Sequence, residues 1–198
     1  MSRRSRAAGA ALTLAATAAV AAAAGLAACG PSADPDAPPP LLTLTDDGVG
    51  GLGAATPFRR DAVGAALGEG FAIERGSLEL APPDSANPAV TMPVLYAFHE
   101  GEIVLELYPD AAERALARIE APSDAVAGPR GARVGRTFAG MDGRRLDCRA
   151  GRDELDGRAV CGLTDAVAAV FAHGGGSELP EPRAMADAPL ERLLWRRE

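Results

Sequence analysis

The sequence contains no lysine, only two histidines and few aromatic residues. All 20 basic residues are arginine, and Phe, Trp and Tyr together make up 4% of the 198 residues. So few aromatic side chains offer little surface on which bases or sugars could stack. Because 27 acidic residues outnumber the basic ones and give a net charge of −7, we do not expect the chain to bind nucleic acid or anionic lipid headgroups.

Motifs for hydrolytic or metal chemistry are also missing from the sequence. The nucleophile-elbow pattern G-x-S-x-G does not occur. We interpret His99 and His173 as solvated or packed side chains, unless folding brings them into one site. We interpret Asp153, Glu154 and Asp156 as a solvated loop, since their spacing lacks the glycine and terminal glutamate of an EF-hand. The sequence therefore predicts no catalytic residue, no metal site and no cofactor.

The segment Gly48–Gly53 matches G-x-G-x-x-G, the pattern of dinucleotide-binding loops. In such a loop a helix begins directly after the glycines, with its N-terminus facing the pyrophosphate. Here we expect Thr56 to cap and Pro57 to begin a helix several residues later. We therefore interpret these glycines as turns.

The N-terminus is typical of an exported lipoprotein. Three arginines within the first six residues precede an alanine-rich run that ends in Leu26-Ala27-Ala28-Cys29. These four residues resemble the lipobox of bacterial lipoproteins, in which the cysteine receives a diacylglycerol and its amine is acylated after cleavage. The sequence thus predicts a signal peptide over residues 1–28 and lipidation of Cys29, because several acyl chains on one residue anchor durably. The alternative is an uncleaved transmembrane helix, although alanine contributes little to membrane insertion.

The two other cysteines, Cys148 and Cys161, are expected to form a disulfide. Export would place them in an oxidising compartment, where an even pair of thiols is usually bonded. They lie in two predicted strands that flank the hydrophilic segment 151–157, so a hairpin would set them opposite one another. On the chain-entropy model, closing a loop of this length stabilises the fold by about 3 kcal/mol.

Composition divides the mature chain into a tether and one globular domain. Residues 29–40 are rich in proline and lack apolar periodicity, which predicts an extended, semi-rigid tether. Residues 41–198 contain several short stretches of alternating apolar and polar side chains, typical of antiparallel strands. The sequence predicts a mainly β, sandwich-like domain of antiparallel meanders with one or two short helices.

The individual elements are predicted from the period of the apolar side chains. Helical spacing favours a helix over residues 58–67. Residues 71–80 are expected to form a hairpin with its turn at Gly76. We interpret Trp195, the single tryptophan, as part of the core. Alternation predicts the remaining strands over residues 42–45, 94–98, 103–107, 115–121, 144–149, 158–163, 167–171 and 190–197.

Two separate segments have a similar order of residues. In Gly53–Phe58 and again in Val134–Phe138, a glycine is followed by threonine and then phenylalanine. We interpret this as a weak internal repeat, built from a glycine turn, a helix start and meandering strands.

Several short motifs occur in order over most of the mature chain: Gly48-Val49-Gly50 with Leu52, Thr56-Pro57-Phe58, Val134-Gly135 with Phe138, Arg158-Ala159-Val160 with the cysteine pair, and Leu193-Leu194-Trp195-Arg196-Arg197. Together they resemble the sigma-E (RpoE)-regulated lipoproteins of Gram-negative bacteria, a family of unknown function. The proline tether is longer here, and the middle strands show little detailed similarity. The resemblance implies a β-rich domain on an outer-membrane lipid anchor, and it implies no active site.

These observations favour a non-enzymatic envelope lipoprotein with a binding or structural, stress-related role. Gly30, in place of an aspartate after Cys29, fits outer-membrane sorting with the domain on the periplasmic face. The expected partners are the membrane, through the lipid, and an envelope protein or a small ligand, but not nucleic acid. The alternatives are a small-molecule or lipid-binding module and a periplasmic hydrolase.

The lipid anchor is directly testable. We expect Cys29→Ala to leave the protein soluble or mislocalised as an uncleaved precursor, because the cysteine sulfur is the atom that accepts the diacylglycerol. Fractionation of cells that produce each variant would measure this. The neighbouring substitution Ser32→Ala should fractionate like the parent, and membrane association of the Cys29→Ala protein equal to that of the parent would contradict the anchor.

Overall fold

The computed structural model describes residues 38–80, 90–174 and 178–197. The predicted signal peptide, Cys29 and the predicted tether up to residue 37 lie outside these ranges. Among the described residues, no helix has the length and apolarity needed to cross a bilayer.

The described residues form one α-helix and eleven strands, so the prediction of a mainly β fold is confirmed. The helix, α1, spans Arg60–Leu67. The strands in chain order are β1 Leu42–Thr45, β2 Gly48–Val49, β3 Phe71–Leu80, β4 Val90–His99, β5 Glu102–Pro109, β6 Leu116–Ala121, β7 Val126–Ala127, β8 Asp147–Ala150, β9 Arg158–Gly162, β10 Val167–Ala172 and β11 Leu190–Arg196.

The large sheet consists of two four-stranded antiparallel meanders joined edge to edge. Its strand order is β3-β4-β5-β6-β11-β10-β9-β8, and β6 pairs with β11 in the middle. A Thr-Phe segment precedes each meander, and Pro57 and Thr137 in these segments form bridges to Ala115 and Pro189, next to β6 and β11. The two halves are thus built in the same order, as the weak sequence repeat suggests.

A three-stranded sheet packs on one face of the large sheet. Its order is β2-β1-β7, with β1 antiparallel to β2 and parallel to β7. The indole Nε1 of Trp195 on β11 donates a hydrogen bond of 2.7 Å to the carbonyl oxygen of Asp46, which follows β1. This contact ties the small sheet to the middle of the large one, in a sandwich-like arrangement.

The main core lies between the two sheets. Trp195 is 2% exposed, which confirms the prediction that it belongs to the core. The rings of Phe138 and Phe171 meet edge to face at 5.3 Å, so residues from the 3₁₀ turns near position 139 also close the core. We call the face of the large sheet that borders this core the inner face, and the opposite one the outer face.

Three local predictions are wrong. Residues 71–80 form one continuous strand and not a hairpin. The Tyr96 ring covers Gly76 in this strand, and a Cβ atom at position 76 would lie 2.6 Å from a ring carbon. The residue before helix α1 is Arg59, and the hydroxyl of Thr56 instead accepts a hydrogen bond from the Gly53 amide. Residues 143–145 form a 3₁₀ turn, so β8 starts later than predicted.

The cysteine hairpin and the glycine turns have the predicted structure. Cys148 on β8 and Cys161 on β9 are direct cross-strand partners, and a disulfide joins them. Gly48 lies in β2 with a φ of +126°, where a Cβ would overlap the Leu52 carbonyl. Val49 and Leu52 exchange two backbone hydrogen bonds of 2.9 and 2.8 Å, so this segment is a tight turn.

Candidate functional site

A network of ion pairs occupies the centre of the outer face. Glu120 on β6 is 2% exposed. One of its oxygens accepts a hydrogen bond of 2.6 Å from Arg192 on β11, and the other lies 3.3 Å from Nε of Arg118. Arg118 also pairs with Glu154, in the segment between β8 and β9. A carboxylate this deeply buried is tolerated only because two guanidinium groups compensate its lost hydration.

Like charges face each other across two neighbouring strands in this network. Glu106 on β5 is the direct partner of Glu120 on β6, an arrangement that destabilises a sheet when nothing offsets it. The hydroxyl of Tyr108 donates a hydrogen bond of 2.7 Å to Glu106. The guanidinium of Arg118 stacks on the Tyr108 ring at 3.9 Å, a favourable cation–π geometry. The two carboxylates are therefore held by different partners.

The pKa values of the network reflect this packing. Burial raises the pKa of Tyr108, and its hydrogen bond to Glu106 and the charges of Glu120 and Glu106 raise it further. Burial alone would lower the pKa of Arg192, but the hydrogen bond and charge of Glu120 outweigh this and raise it. Both groups therefore stay protonated, and Arg192 keeps its positive charge.

Segment 151–157 folds back over the outer face beside this network. Leu155 in this segment is 5% exposed and packs against Val160, Val170 and Leu194. Arg158 donates a hydrogen bond of 2.6 Å to Glu191, and a second one to the carbonyl oxygen of Glu154. The segment predicted as a solvated loop is thus attached to the sheet by one apolar and several polar contacts.

A trough crosses the outer face between β8 and β11, next to segment 151–157. Its floor is low because Gly162 and Ala168 are cross-strand partners and carry small side chains. The trough has a volume of about 200 Å³ and borders a wider recess of about 1210 Å³ that is lined by segment 151–157, Arg118 and Arg196. The residues that define the trough are Arg149, Val160, Gly162, Ala168, Leu194 and Arg196.

The two arginines of the trough differ from the other arginines of this face. Arg149 on β8 and Arg196 on β11 are exposed. Arg118, Arg158 and Arg192 each bind a carboxylate. In the part of the chain that the structure describes, no carboxylate oxygen lies within 4.0 Å of either trough arginine. The trough thus offers two guanidinium groups that can bind an anion without breaking an ion pair to any described residue.

The histidines do not come together. His99 ends β4 and His173 follows β10, four strand positions apart in the sheet, which corresponds to about 19 Å. The His99 ring lies 5.4 Å from that of Phe71. Both ring nitrogens of His173 are buried without a hydrogen-bond partner among the described residues. Within the same residues, no three His, Cys, Asp or Glu side chains are placed to hold a metal ion.

Sequence reasoning missed the residues that dominate the outer face. Arg118 and Glu120 alternate with apolar residues, the pattern of a strand with one solvated face, and Arg192 follows another charged residue, Glu191. The only local sign that these charged residues are partly or fully buried was their position in strands with many apolar residues. Burial of Glu120 depends on β6 lying at the centre of the sheet, which the local pattern does not determine.

The stability of the network can be tested with one substitution and a matched control. We expect Glu120→Gln to lower the free energy of unfolding by about 3 kcal/mol, because it leaves two largely buried guanidinium groups without their carboxylate. Glu113→Gln breaks the exposed pair with Arg75 and should cost less than about 1 kcal/mol. Urea unfolding of both variants measures the difference, and equal losses would contradict a stabilising role for the network.

The raised tyrosine pKa values predict how stability depends on alkaline pH. The chain has two tyrosines. Burial, followed by the charge of Glu106, raises the pKa of Tyr96 above 10.0 as well. Since the unfolded chain ionises first, tyrosine ionisation lowers stability as pH rises above 10.0. We expect tyrosinate absorbance to appear together with the loss of circular dichroism, and Tyr108→Phe to weaken this pH dependence. Full ionisation of both tyrosines near pH 10.0 in a still-folded protein would contradict this.

Comparison with known proteins places the fold in a family. No curated protein matches the chain. The crystal structure of the uncharacterized protein yfeY from Escherichia coli is similar, with a TM-score of 0.60 and 17% sequence identity, over 78% of this chain and 99% of that chain. At this identity the similarity concerns the fold alone. The model of the family described as "Protein of unknown function (DUF1131)" matches residues 40–197. Because this match covers most of the sequence, the chain belongs to the DUF1131 family.

Proposed function

We propose that this protein is a non-catalytic envelope lipoprotein that binds an acidic segment of a partner protein in the trough of its outer face. Cys29 would hold it at the periplasmic face of the outer membrane, and the tether would keep the domain clear of the lipid. The lipobox supports the anchor. The observation that carries the binding role is the pair of guanidinium groups of Arg149 and Arg196 at an apolar floor, neither of which contacts a carboxylate of a described residue.

The dimensions of the trough suit an extended peptide. Arg149 and Arg196 are exposed on β8 and β11, three strand spacings apart, and Arg149 is in register with Arg192, four residues before Arg196. The offsets of about 14 Å across the strands and about 13 Å along them place the two positions about 19 Å apart. A guanidinium group binds a carboxylate with two parallel hydrogen bonds. Small apolar side chains of the same segment would cover Gly162 and Ala168, which are exposed and half-buried, between the two arginines.

The surrounding charges favour a peptide over a small polyanion. Asp147 and Asp165 also line the trough, and the chain has a net charge of −7. Both would repel a compact ligand with several negative charges, such as a free phosphate. A peptide places single carboxylates at the arginines and can direct amides or positive side chains towards the aspartates.

The chemistry of the outer face supports binding more than catalysis. The carboxylates of the central network accept hydrogen bonds from arginine or tyrosine, so they are not free to transfer protons. The alternative of a hydrolase would need a histidine hydrogen-bonded to a nucleophile, and among the described residues neither ring nitrogen of His173 has a hydrogen-bond partner. Regulation by sigma-E and a role in envelope stress rest on the family resemblance of the sequence motifs.

The proposal can be tested by photo-crosslinking in living cells. A photoreactive residue at Asp165, an exposed position at the trough, should capture one dominant envelope protein. Arg149→Glu with Arg196→Glu should reduce this capture by about tenfold or more, because each substitution replaces a charge-assisted contact with repulsion. Mass spectrometry of the captured material identifies the partner.

The control for this experiment changes the net charge equally at another place. Arg144 and Arg183 are exposed and do not line the trough, so Arg144→Glu with Arg183→Glu should leave capture unchanged. An equal loss in both double variants would show unspecific electrostatic attraction. Capture of neighbours in proportion to their abundance would overturn the protein-binding role and favour a small ligand or a hidden activity.

A further inference from the structure

The first strand of the large sheet has one edge that no described strand covers, and we call this side its free edge. β3 is ten residues long and pairs only with β4 in the described part of the chain. The side chain of Arg60, on α1, donates a hydrogen bond of 2.9 Å to the carbonyl oxygen of Ile73. This carbonyl group therefore points away from β4. Since backbone groups alternate in direction along a strand, those of Arg75, Ser77 and Glu79 point to the same free side.

These three residues form the open part of the edge. Arg60 covers the strand at Ile73, whereas the outward amides and carbonyls of Arg75, Ser77 and Glu79 make no hydrogen bond to any described residue. The side chains of all three are exposed. Such a row of unpaired groups is a template for pairing with another strand.

We propose that the free edge of β3 pairs antiparallel with β3 of a second copy of this chain, about a two-fold axis at Ser77. In this register Arg75 of each copy lies opposite Glu79 of the other, and the two Ser77 residues face each other. Each of the three outward positions then belongs to a hydrogen-bonded pair, in which two residues exchange both of their backbone hydrogen bonds. The result is a symmetric interface of the kind common in homodimers.

Charge selects this register. An axis at Arg75 would set two arginines opposite one another, and an axis at Glu79 would do the same with two glutamates; both arrangements are repulsive. Only the axis at Ser77 places Arg75 directly opposite Glu79. Arg75 already pairs with Glu113 at an N–O distance of 3.4 Å, but both side chains are exposed. This pair therefore competes only weakly with pairing of Arg75 to Glu79 of the second copy.

The outer-face side chains of β3 are compatible with the same register. Leu78 of one copy would lie opposite Gly76 of the other. Gly76 has no side chain of its own, and the Tyr96 ring lies over it. Leu78 could therefore pack against this ring. The charges of Arg75 and Glu79 would discourage pairing of this edge with an unrelated strand. When β3 pairs with its own copy, these opposite charges face each other.

Cysteine crosslinking of the full-length chain in membranes tests the interface. In a hydrogen-bonded pair the Cα atoms are about 5.5 Å apart, within the range that a disulfide spans. We expect Ser77→Cys to form a disulfide-linked dimer under mild oxidation. Glu74→Cys is an exposed control on the same strand, and in this register its two copies would be about 20 Å apart. The expected dimer yield is about tenfold higher for Ser77→Cys.

The unsubstituted chain controls for Cys29 and for the Cys148–Cys161 disulfide. A Ser77→Cys dimer yield no higher than that of Glu74→Cys overturns the proposal. This outcome is independent of the trough, which lies at the opposite end of the sheet, so it would leave the proposed function standing.

Charge reversal in the Ser77→Cys background tests the register. Arg75→Glu alone should reduce the dimer yield about tenfold, because it sets glutamates opposite one another. Adding Glu79→Arg to this variant should restore the dimer yield. The glutamate at position 75 of each copy then faces the arginine at position 79 of the other. Arg75→Glu also breaks the pair with Glu113, and Glu79→Arg cannot repair that loss. A dimer yield that stays low in the double variant would therefore overturn this register.

Discussion

The pairing of β6 with β11 is the contact on which the rest of the structure depends. It joins two four-stranded meanders into one sheet, and both faces of the joint are stabilised by specific contacts. On the inner face Trp195 packs into the core and binds the backbone of Asp46. On the outer face Glu120 of β6 binds Arg192 of β11. Because the buried carboxylate loses its hydration, it favours the one strand register that supplies a guanidinium partner.

The outer face combines a closed and an open region. In the closed region, arginines 118, 158 and 192 are paired with carboxylates, and segment 151–157 covers part of the sheet. In the open region, small residues leave a trough that Arg149 and Arg196 flank. The paired groups hold the strands in position, so the two trough arginines lie on a rigid surface. Rigid placement lowers the entropic cost of binding, which supports the proposed binding role.

Local patterns identified most elements, and their errors have tertiary causes. Alternating side chains located the hairpin of β4 and β5 and the hairpin that carries the disulfide. Gly76 was interpreted as a turn because glycine is common there, but it lies within β3, where the Tyr96 ring of the neighbouring strand requires a residue without a side chain. Thr56 was expected to cap a helix, yet its hydroxyl accepts a hydrogen bond from the glycine turn before it.

The sequence alone predicted an export signal with a lipobox, and it determined that the domain is mainly β and which two cysteines can pair. These properties depend on residues close together in the sequence or on simple periodicity. The tertiary structure decided the strand order, the burial of Glu120, the separation of the two histidines and the trough between Arg149 and Arg196. Arg149 and Arg196 are 47 positions apart in the sequence, and the order of β8, β9, β10 and β11 brings them to one surface, because strand order is set by packing between distant segments.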